Sequence, residues 1–187
     1  MKTSNNKIIF SLYKYFMKLE FPEKKHEKEY LEMIQEFTDN KEVIIPWAAN
    51  LKEGETYDDF LVRIKRDMET GNPKYDFAKS SLYYLIDDKE KIVWIEAIRP
   101  ILSEALRYDG GNIGYGIRPS ERRKGYATIW LTLALQKCKD LWLEKALLTC
   151  GKNNIWSSKT MIKNWWIRDS EYENKWIIQE RYRIPIK

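Results

Sequence analysis

One stretch of the sequence, GGNIGYGIRPSERRKGYAT at positions 110–128, constrains the fold more than any other part of the chain. It reads as a strand over 112–117 that runs through a short turn into a helix directly after Gly125. The first backbone N–H groups of a helix lack intrahelical acceptors and carry partial positive charge, so they bind anions. Arg122, Arg123 and Lys124 add cations beside them. The stretch therefore predicts a site for a pyrophosphate group.

Length and composition indicate a single domain over residues 1–187, with about the first 14 residues as a loose extension. No apolar run reaches the ~18 residues that a membrane span needs, and the N-terminus does not resemble a signal peptide. We therefore expect a soluble, cytoplasmic protein. The net charge of +5 favours anionic ligands, either nucleic acid or a polyphosphate cofactor.

Cysteine and histidine are too few and too scattered to predict a metal centre. Cys138 falls on a predicted helix and Cys150 at the end of a predicted strand, and they form no CxxC pair. His26 is the one histidine. We expect no bound metal, two reduced and buried thiols, and a histidine on an exposed helix face.

The periodicity of the apolar residues predicts a mixed α/β fold with the element order βααβββαβαββ. Gly and Pro residues, together with polar clusters, mark the boundaries between the elements. The predicted helices cover 26–37, 56 to about 70, a segment after 125, and 154–164, and the predicted strands cover 15–21, 80–86, 91–99, 112–117, 145–150, 168–173 and 177–185. Residues 100–108 are predicted to be a connecting segment.

Residues 122–127, with the sequence RRKGYA, resemble the Q/R-x-x-G-x-G/A signature of the GCN5-related N-acetyltransferases, in which this loop holds the pyrophosphate of acetyl-coenzyme A. The similarity, to one bacterial branch of the family, extends over about residues 16–186. It implies that family's α/β fold, a mixed and mostly antiparallel central sheet with helices on both faces. It also implies transfer of an acetyl group from acetyl-CoA to a primary amine by direct attack, with no metal and an unknown acceptor.

The resemblance places the coenzyme against three parts of the chain. The backbone at the end of the central strand would follow the pantetheine arm, in a splay between this strand and strand 145–150. The RRKGYA loop would hold the pyrophosphate, and an N-x-x-S element would lie near the coenzyme, although its asparagine also suits a plain helix N-cap. The residues that the resemblance implies for coenzyme binding are Ile117, Arg118, Arg122, Arg123, Lys124, Gly125, Tyr126, Ala127, Thr128, Asn154 and Ser157.

The catalytic base and acid are less well marked. Glu96, on a strand beside the central one, and Glu104, in the segment that leads into it, are candidates to bind or deprotonate an amine. Each of these glutamates could equally be a solvated or structural carboxylate. Arg99 could bind a carboxylate of the substrate or be an ordinary surface arginine. Many members of the family carry an acidic tyrosine on the helix after the N-x-x-S element, but residues 154–164 contain none. Tyr182, on the last strand, is the substitute candidate.

Two other classes of function stay open. One is a non-catalytic binding module, either a degenerate acetyltransferase fold or a basic nucleic-acid binder. A nucleic-acid binder is disfavoured, because the chain has 28 acidic residues and its basic residues are dense only at 118–124. A nucleotide-binding enzyme is disfavoured, because Pro119 breaks the G-x-G-x-x-G pattern and no GK[ST] loop exists. The expected partners are a small-molecule amine or a peptide, with no nucleic acid and no membrane, and a homodimer is left open.

Eight tryptophans beside only eight glycines are an unusual balance. Several tryptophans stand where a turn or a helix end favours glycine. One hypothesis is that their codons are UGA, which the source organism reads as glycine and which is translated here as tryptophan. The alternative is an aromatic-rich core or a stacking surface. The residues are Trp47, Trp94, Trp130, Trp142, Trp156, Trp165, Trp166 and Trp176.

Overall fold

The computed structural model of the protein describes residues 17–72, 76, 78–174 and 176–186, without the side chains of residues 127–129. The expected N-terminal extension and the first two residues of the predicted strand 15–21 lie outside this part of the chain.

The described elements follow the predicted order, with one addition. The strands are β1 (Lys18–Glu20), β2 (Ser81–Ile86), β3 (Ile92–Ile98), β4 (Ile113–Ile117), β5 (Lys145–Gly151), β6 (Ile167–Asn174) and β7 (Ile177–Pro185). The α-helices are α1 (Glu27–Asp39), α2 (Tyr57–Glu69), α3 (Glu104–Tyr108), α4 (Tyr126–Asp140) and α5 (Ile155–Lys163). The addition is α3, in a segment predicted only as a connection, where the Ser103 hydroxyl accepts the Leu106 N–H as an N-cap.

The strands form two antiparallel sheets. The first has the order β1-β2-β3-β4 and the second the order β5-β7-β6. In the predicted hairpin β2–β3, the Asp87 carboxylate accepts the N–H groups of Lys89 and Lys91, both at 2.9 Å. These contacts fix the turn, and the mixed α/β class with antiparallel strands is confirmed.

Hydrophobic cores lie on both sides of the first sheet. β3 is buried along its whole length, as a central strand should be. Leu131 of α4 packs in one core with Ile98, whereas Tyr30 of α1 and Phe60 of α2 pack in the other core with Ile95. Helices therefore cover both faces of this sheet, as expected.

His26 is only 3% exposed, so the prediction of an exposed histidine is wrong. Its Nδ1 accepts the N–H of Glu23 at 3.0 Å, and its Nε2 lies 3.2 Å from the Glu20 carboxylate. Burial lowers its pKa. The helical periodicity misplaced this side chain because a 3₁₀ turn, Lys24–His26, precedes α1.

Both cysteines are free and buried, as expected, and burial raises the pKa of Cys138 to about 12 and that of Cys150 to about 11. Among the described residues, no cluster of three His, Cys, Asp or Glu side chains is placed to hold a metal ion. None of the described helices combines the length and the apolar character required to traverse a bilayer.

The two sheets meet just before β4. Gly111 forms a bridge with Leu148, and the Asn112 N–H donates to the Leu147 carbonyl at 2.7 Å. A Cβ at Gly111 would lie 2.3 Å from that carbonyl oxygen, and Gly111 has φ +70°, so this position requires glycine. Beyond the junction, β4 pairs with β3 and β5 pairs with β7, and no ladder of the described residues joins β4 to β5. The strands β4 and β5 therefore belong to different sheets.

Candidate functional site

A groove with a volume of 810 Å³ lies beside the end of β4, the start of α4 and α5. One wall comes from the connection after α1, where Phe37, Val43 and Ile45 line it. A Cβ at Gly116 would lie 2.3 Å from the Ile45 carbonyl oxygen, so this glycine lets the connection lie directly on β4. From the predicted coenzyme site, the groove is lined by Ile117, Arg122, Arg123, Gly125, Tyr126, Asn154 and Ser157.

The loop before α4 is shaped by two left-handed residues, Arg123 with φ +64° and Gly125 with φ +86°. Gly125 is the N-cap of α4, a helix of 15 residues. A Cβ at Gly125 would meet no atom within 4 Å, so the space beside this N-cap is open. The arrangement leaves the N-terminus of α4 accessible from the groove and fits an anionic group.

The three loop cations are not equally available to an anion. Arg122 makes a bidentate pair with the Glu42 carboxylate, at 2.7 and 2.6 Å. Lys124 lies 2.8 Å from the Glu121 carboxylate and does not line the groove. Arg123 instead lies over the ring of Trp156, 5.7 Å from its centroid. A bound anion would therefore meet backbone N–H groups and Arg123 before the other two cations.

The side chain of Arg118 does not line the groove, although we predicted Arg118 for the coenzyme site. It is 4% exposed, and its guanidinium donates to Glu36 at 2.6 Å and to Glu29 at 2.7 Å on α1. Burial would raise the pKa of Glu36, but the hydrogen bonds from Ser120 and Arg118 lower it below its ordinary value. Arg118 thus holds the loop against α1. No local pattern predicts this role of Arg118, because its partners lie more than 80 residues earlier in the chain.

The N-x-x-S element forms both a helix cap and part of the groove. The Asn154 side chain accepts the Ser157 N–H at 3.1 Å, so Asn154 is the N-cap of α5, and both residues also line the groove. The Ser157 hydroxyl lies 2.5 Å from the hydroxyl of Tyr115. Sequence reasoning missed Tyr115, which lies between two glycines in the central strand. Burial raises its pKa to about 12.

None of the three predicted catalytic residues lines the groove. Glu96 is fully buried and accepts the indole N–H of Trp130, and burial raises its pKa. Glu104 begins α3 and lines a separate cavity of 650 Å³. Tyr182 is also buried, and its hydroxyl donates to Glu180 at 2.6 Å.

The side chains of Ala127 and Thr128 are outside the description, although both residues belong to α4. The groove is also lined by residues outside the predicted site, four from the end of α1 and the connection after it and seven from the neighbourhood of the predicted residues. They are Phe37, Glu42, Val43, Ile45, Tyr115, Gly116, Glu121, Trp156, Lys159, Thr160 and Lys163.

The chain resembles known proteins in its fold and not in its sequence. No protein-family model matches the sequence. No curated protein matches it either. Among solved structures, spermidine N-acetyltransferase from Vibrio cholerae has a TM-score of 0.63 at 13% identity, with 91% of this chain and 94% of that one covered.

Two structures from Salmonella typhimurium are similar to the same degree. An acetyltransferase that modifies the N-terminal serine of a 50S ribosomal subunit protein has a TM-score of 0.64 at 13% identity, covering 92% of this chain and 96% of that one. YncA, solved with its cofactor acetyl-CoA, has a TM-score of 0.62 at 10% identity, with 91% of this chain and 94% of that one covered. Similarity at this level of identity concerns the fold. The chain therefore has the fold of the GCN5-related N-acetyltransferases.

Proposed function

We propose that this protein is an N-acetyltransferase that transfers the acetyl group of acetyl-CoA to a primary amine by direct attack. The observation that carries the proposal is the groove, which lies beside the end of β4 and extends to the open N-terminus of α4 at Gly125. A long ligand with a pyrophosphate toward one end and a reactive group at the other fits this shape. The acetyl-CoA found with YncA is a ligand of that kind.

The residues of the groove match the parts of such a ligand. The first backbone N–H groups of α4 and the guanidinium of Arg123 would bind the pyrophosphate. Arg122 and Lys124 would hold the loop in place through their ion pairs with Glu42 and Glu121. The backbone at Ile117, at the end of β4, would follow the pantetheine arm. The coenzyme supplies the thioester that makes the acetyl group reactive.

In the reaction, the amine nitrogen forms a bond to the thioester carbonyl carbon and the carbon–sulfur bond breaks. The amine loses one proton and the leaving thiolate takes one. We assign the second transfer to Tyr115, because it lines the groove, its hydroxyl contacts that of Ser157, and its pKa of about 12 keeps it protonated at neutral pH. Glu96, Glu104 and Tyr182 stay predictions from the sequence, since they lie outside the groove.

Calorimetric titration of acetyl-CoA into the purified protein tests the binding step. We expect micromolar affinity in the wild type and none in Gly125→Glu, whose carboxylate would occupy the anion site. Gly54→Glu is the matched control, since Gly54 also has a positive φ, of +74°, and open space at Cβ, but does not line the groove. A folded wild type that binds no acetyl-CoA would rule out the enzyme and leave the non-catalytic binding module.

Detection of released thiol then tests the chemistry. Two enzymes of similar structure act on spermidine and on the N-terminal serine of a ribosomal protein. Polyamines and peptides with free N-termini are therefore the first acceptors to test. We expect thiol release that depends on the amine and is lost in Gly125→Glu.

A further inference from the structure

Three tryptophans have a backbone conformation that bulky residues avoid. Trp142, Trp165 and Trp176 have φ of +62°, +67° and +69°. In the described part of the chain seven non-glycine residues have positive φ, and three of them are tryptophan, although tryptophan makes up only 8 of the 187 residues. For a bulky residue, this left-handed conformation is a genuine outlier. These positions are therefore typical of glycine.

The hydrogen bonds after α4 identify one of these positions as a standard glycine site. The Leu143 N–H donates to the Cys138 carbonyl at 3.0 Å, and the Trp142 N–H donates to the Lys139 carbonyl at 2.9 Å. These two bonds define the Schellman motif, in which the left-handed residue is usually glycine. In this chain Trp142 takes that place.

The same motif ends α5. The Trp166 N–H donates to the Met161 carbonyl and the Trp165 N–H to the Ile162 carbonyl, both at 3.1 Å, so Trp165 takes the left-handed place. The third residue, Trp176, lies in the two-residue loop between the paired residues Asn174 and Ile177. Such hairpin loops favour residues that accept positive φ, above all glycine.

Tertiary packing does not account for these three residues. Their exposed fractions are 92% for Trp142, 86% for Trp165 and 93% for Trp176. A strained backbone persists when the surrounding structure holds it in place. Here the side chains extend into solvent, and the backbone hydrogen bonds alone define the conformation.

The buried tryptophans fit poorly in a different way. The ring centroids of Trp94 and Trp130 are 4.0 Å apart, closer than the 4.5–7 Å that aromatic pairs prefer. The indole N–H groups of Trp94 and Trp166 are buried and have no hydrogen-bond partner among the described residues. Buried tryptophans normally find such a partner.

We infer that the protein made in its own cells carries glycine at all eight tryptophan positions, because the gene has UGA codons that those cells read as glycine. One codon assignment accounts for the left-handed turns and for the crowded core together. It also changes the groove, since Trp156 lines it and glycine there would widen it. An aromatic stacking surface explains neither the Schellman motifs nor the unpartnered buried N–H groups.

The gene and the native protein decide the identity of these residues. We expect UGA at the eight positions, and peptide masses of glycine at 142, 165 and 176 in protein purified from the source cells. UGG codons at these positions, or tryptophan masses in the native peptides, would overturn the inference.

Thermal unfolding tests separately whether the left-handed backbone at these three positions favours glycine. At 142, 165 and 176, replacement by glycine is compared with replacement by alanine, which removes the indole but keeps the Cβ. We expect each glycine variant to melt about 2–4 °C above its alanine counterpart. Lys41→Gly shows how much glycine raises the melting temperature at such a position, because Lys41 has φ +56° in a Schellman motif after α1. Equal melting temperatures for glycine and alanine at all three positions would refute the premise.

Discussion

The hydroxyl of Tyr115 on β4 lies 2.5 Å from the hydroxyl of Ser157 on α5. Both side chains line the groove, so this contact joins two of its walls. It also fixes the direction of a phenol that stays protonated at neutral pH, because burial raises the pKa of Tyr115 to about 12. The contact therefore orients the proposed proton donor.

Replacing Tyr115 by phenylalanine should lower kcat about 100-fold and leave the affinity for acetyl-CoA nearly unchanged, because the ring remains and only the proton donor is lost. Thiol release measures kcat, and calorimetric titration measures the affinity. Ser157→Ala keeps the phenol but removes its partner, so a smaller loss of kcat is expected. Full activity of Tyr115→Phe would remove Tyr115 from the mechanism.

Replacing Arg118 by methionine should lower the free energy of unfolding by about 3 kcal/mol, because it leaves the carboxylates of Glu29 and Glu36 without their buried partner. Urea unfolding measures this loss. The control is Arg107→Met, since Arg107 is exposed and donates to a single carbonyl at 3.2 Å. Similar stability of the two variants would show that Arg118 does not hold the loop against α1.

Replacing Asn112 by alanine should lower the free energy of unfolding by about 2–4 kcal/mol. The Asn112 side chain donates to the Arg99 carbonyl and accepts the Leu147 N–H, both at 2.8 Å, and its removal leaves two buried backbone groups unpaired. Asn112→Asp keeps the acceptor for Leu147 but turns a carboxylate oxygen toward the Arg99 carbonyl in a buried place, so it should not recover the lost stability at neutral pH. Chemical unfolding compares both variants with the wild type, and wild-type stability of either one would contradict this account.

Stability should fall in acid as Glu20 becomes protonated. The ion pair with Lys25 is the main cause that lowers the pKa of Glu20 from 4.5 to about 2. Because the pKa is lower in the folded state, the stabilisation is complete above pH 4.5 and is lost as the pH falls toward 2. After solvent screening we expect about 1 kcal/mol.

The measurement is the difference in unfolding free energy between the wild type and Glu20→Gln as a function of pH. The difference should shrink between pH 4.5 and 2. In a Lys25→Met background the difference should be smaller above pH 4.5, where the ion pair is fully formed in the wild type. A difference that does not change over this interval would show that the ion pair contributes nothing to the stability.

The sequence predicted the element order and the loop before α4, because both depend on residues that are close in the chain. Strand alternation, the Thr56 N-cap of α2 and the glycine at 125 are local signals of this kind. The division into two sheets and the wall formed by Val43 and Ile45 depend on packing between distant segments. Periodicity carries no information about such packing.

The predicted site differs from the groove where the position of a side chain depends on its tertiary partners. A basic run such as 118–124 suggests cations free for an anion, yet Arg118, Arg122 and Lys124 all pair with carboxylates, two of them with residues of an earlier segment. Glu96 looked like a reactive carboxylate on a strand but lies fully buried. Tyr115 escaped notice because strand position alone does not show that a hydroxyl reaches a neighbouring helix.

The junction before β4 has a mechanical consequence. In the described part of the chain, the sheets share backbone hydrogen bonds near residues 110–112 and 147–149, at the end of β4 remote from the loop. Because no ladder of the described residues joins β4 to β5, each sheet keeps its own strand pairing whatever the angle between the two sheets. The few contacts at the junction, the Tyr115–Ser157 contact and the shared core therefore set that angle.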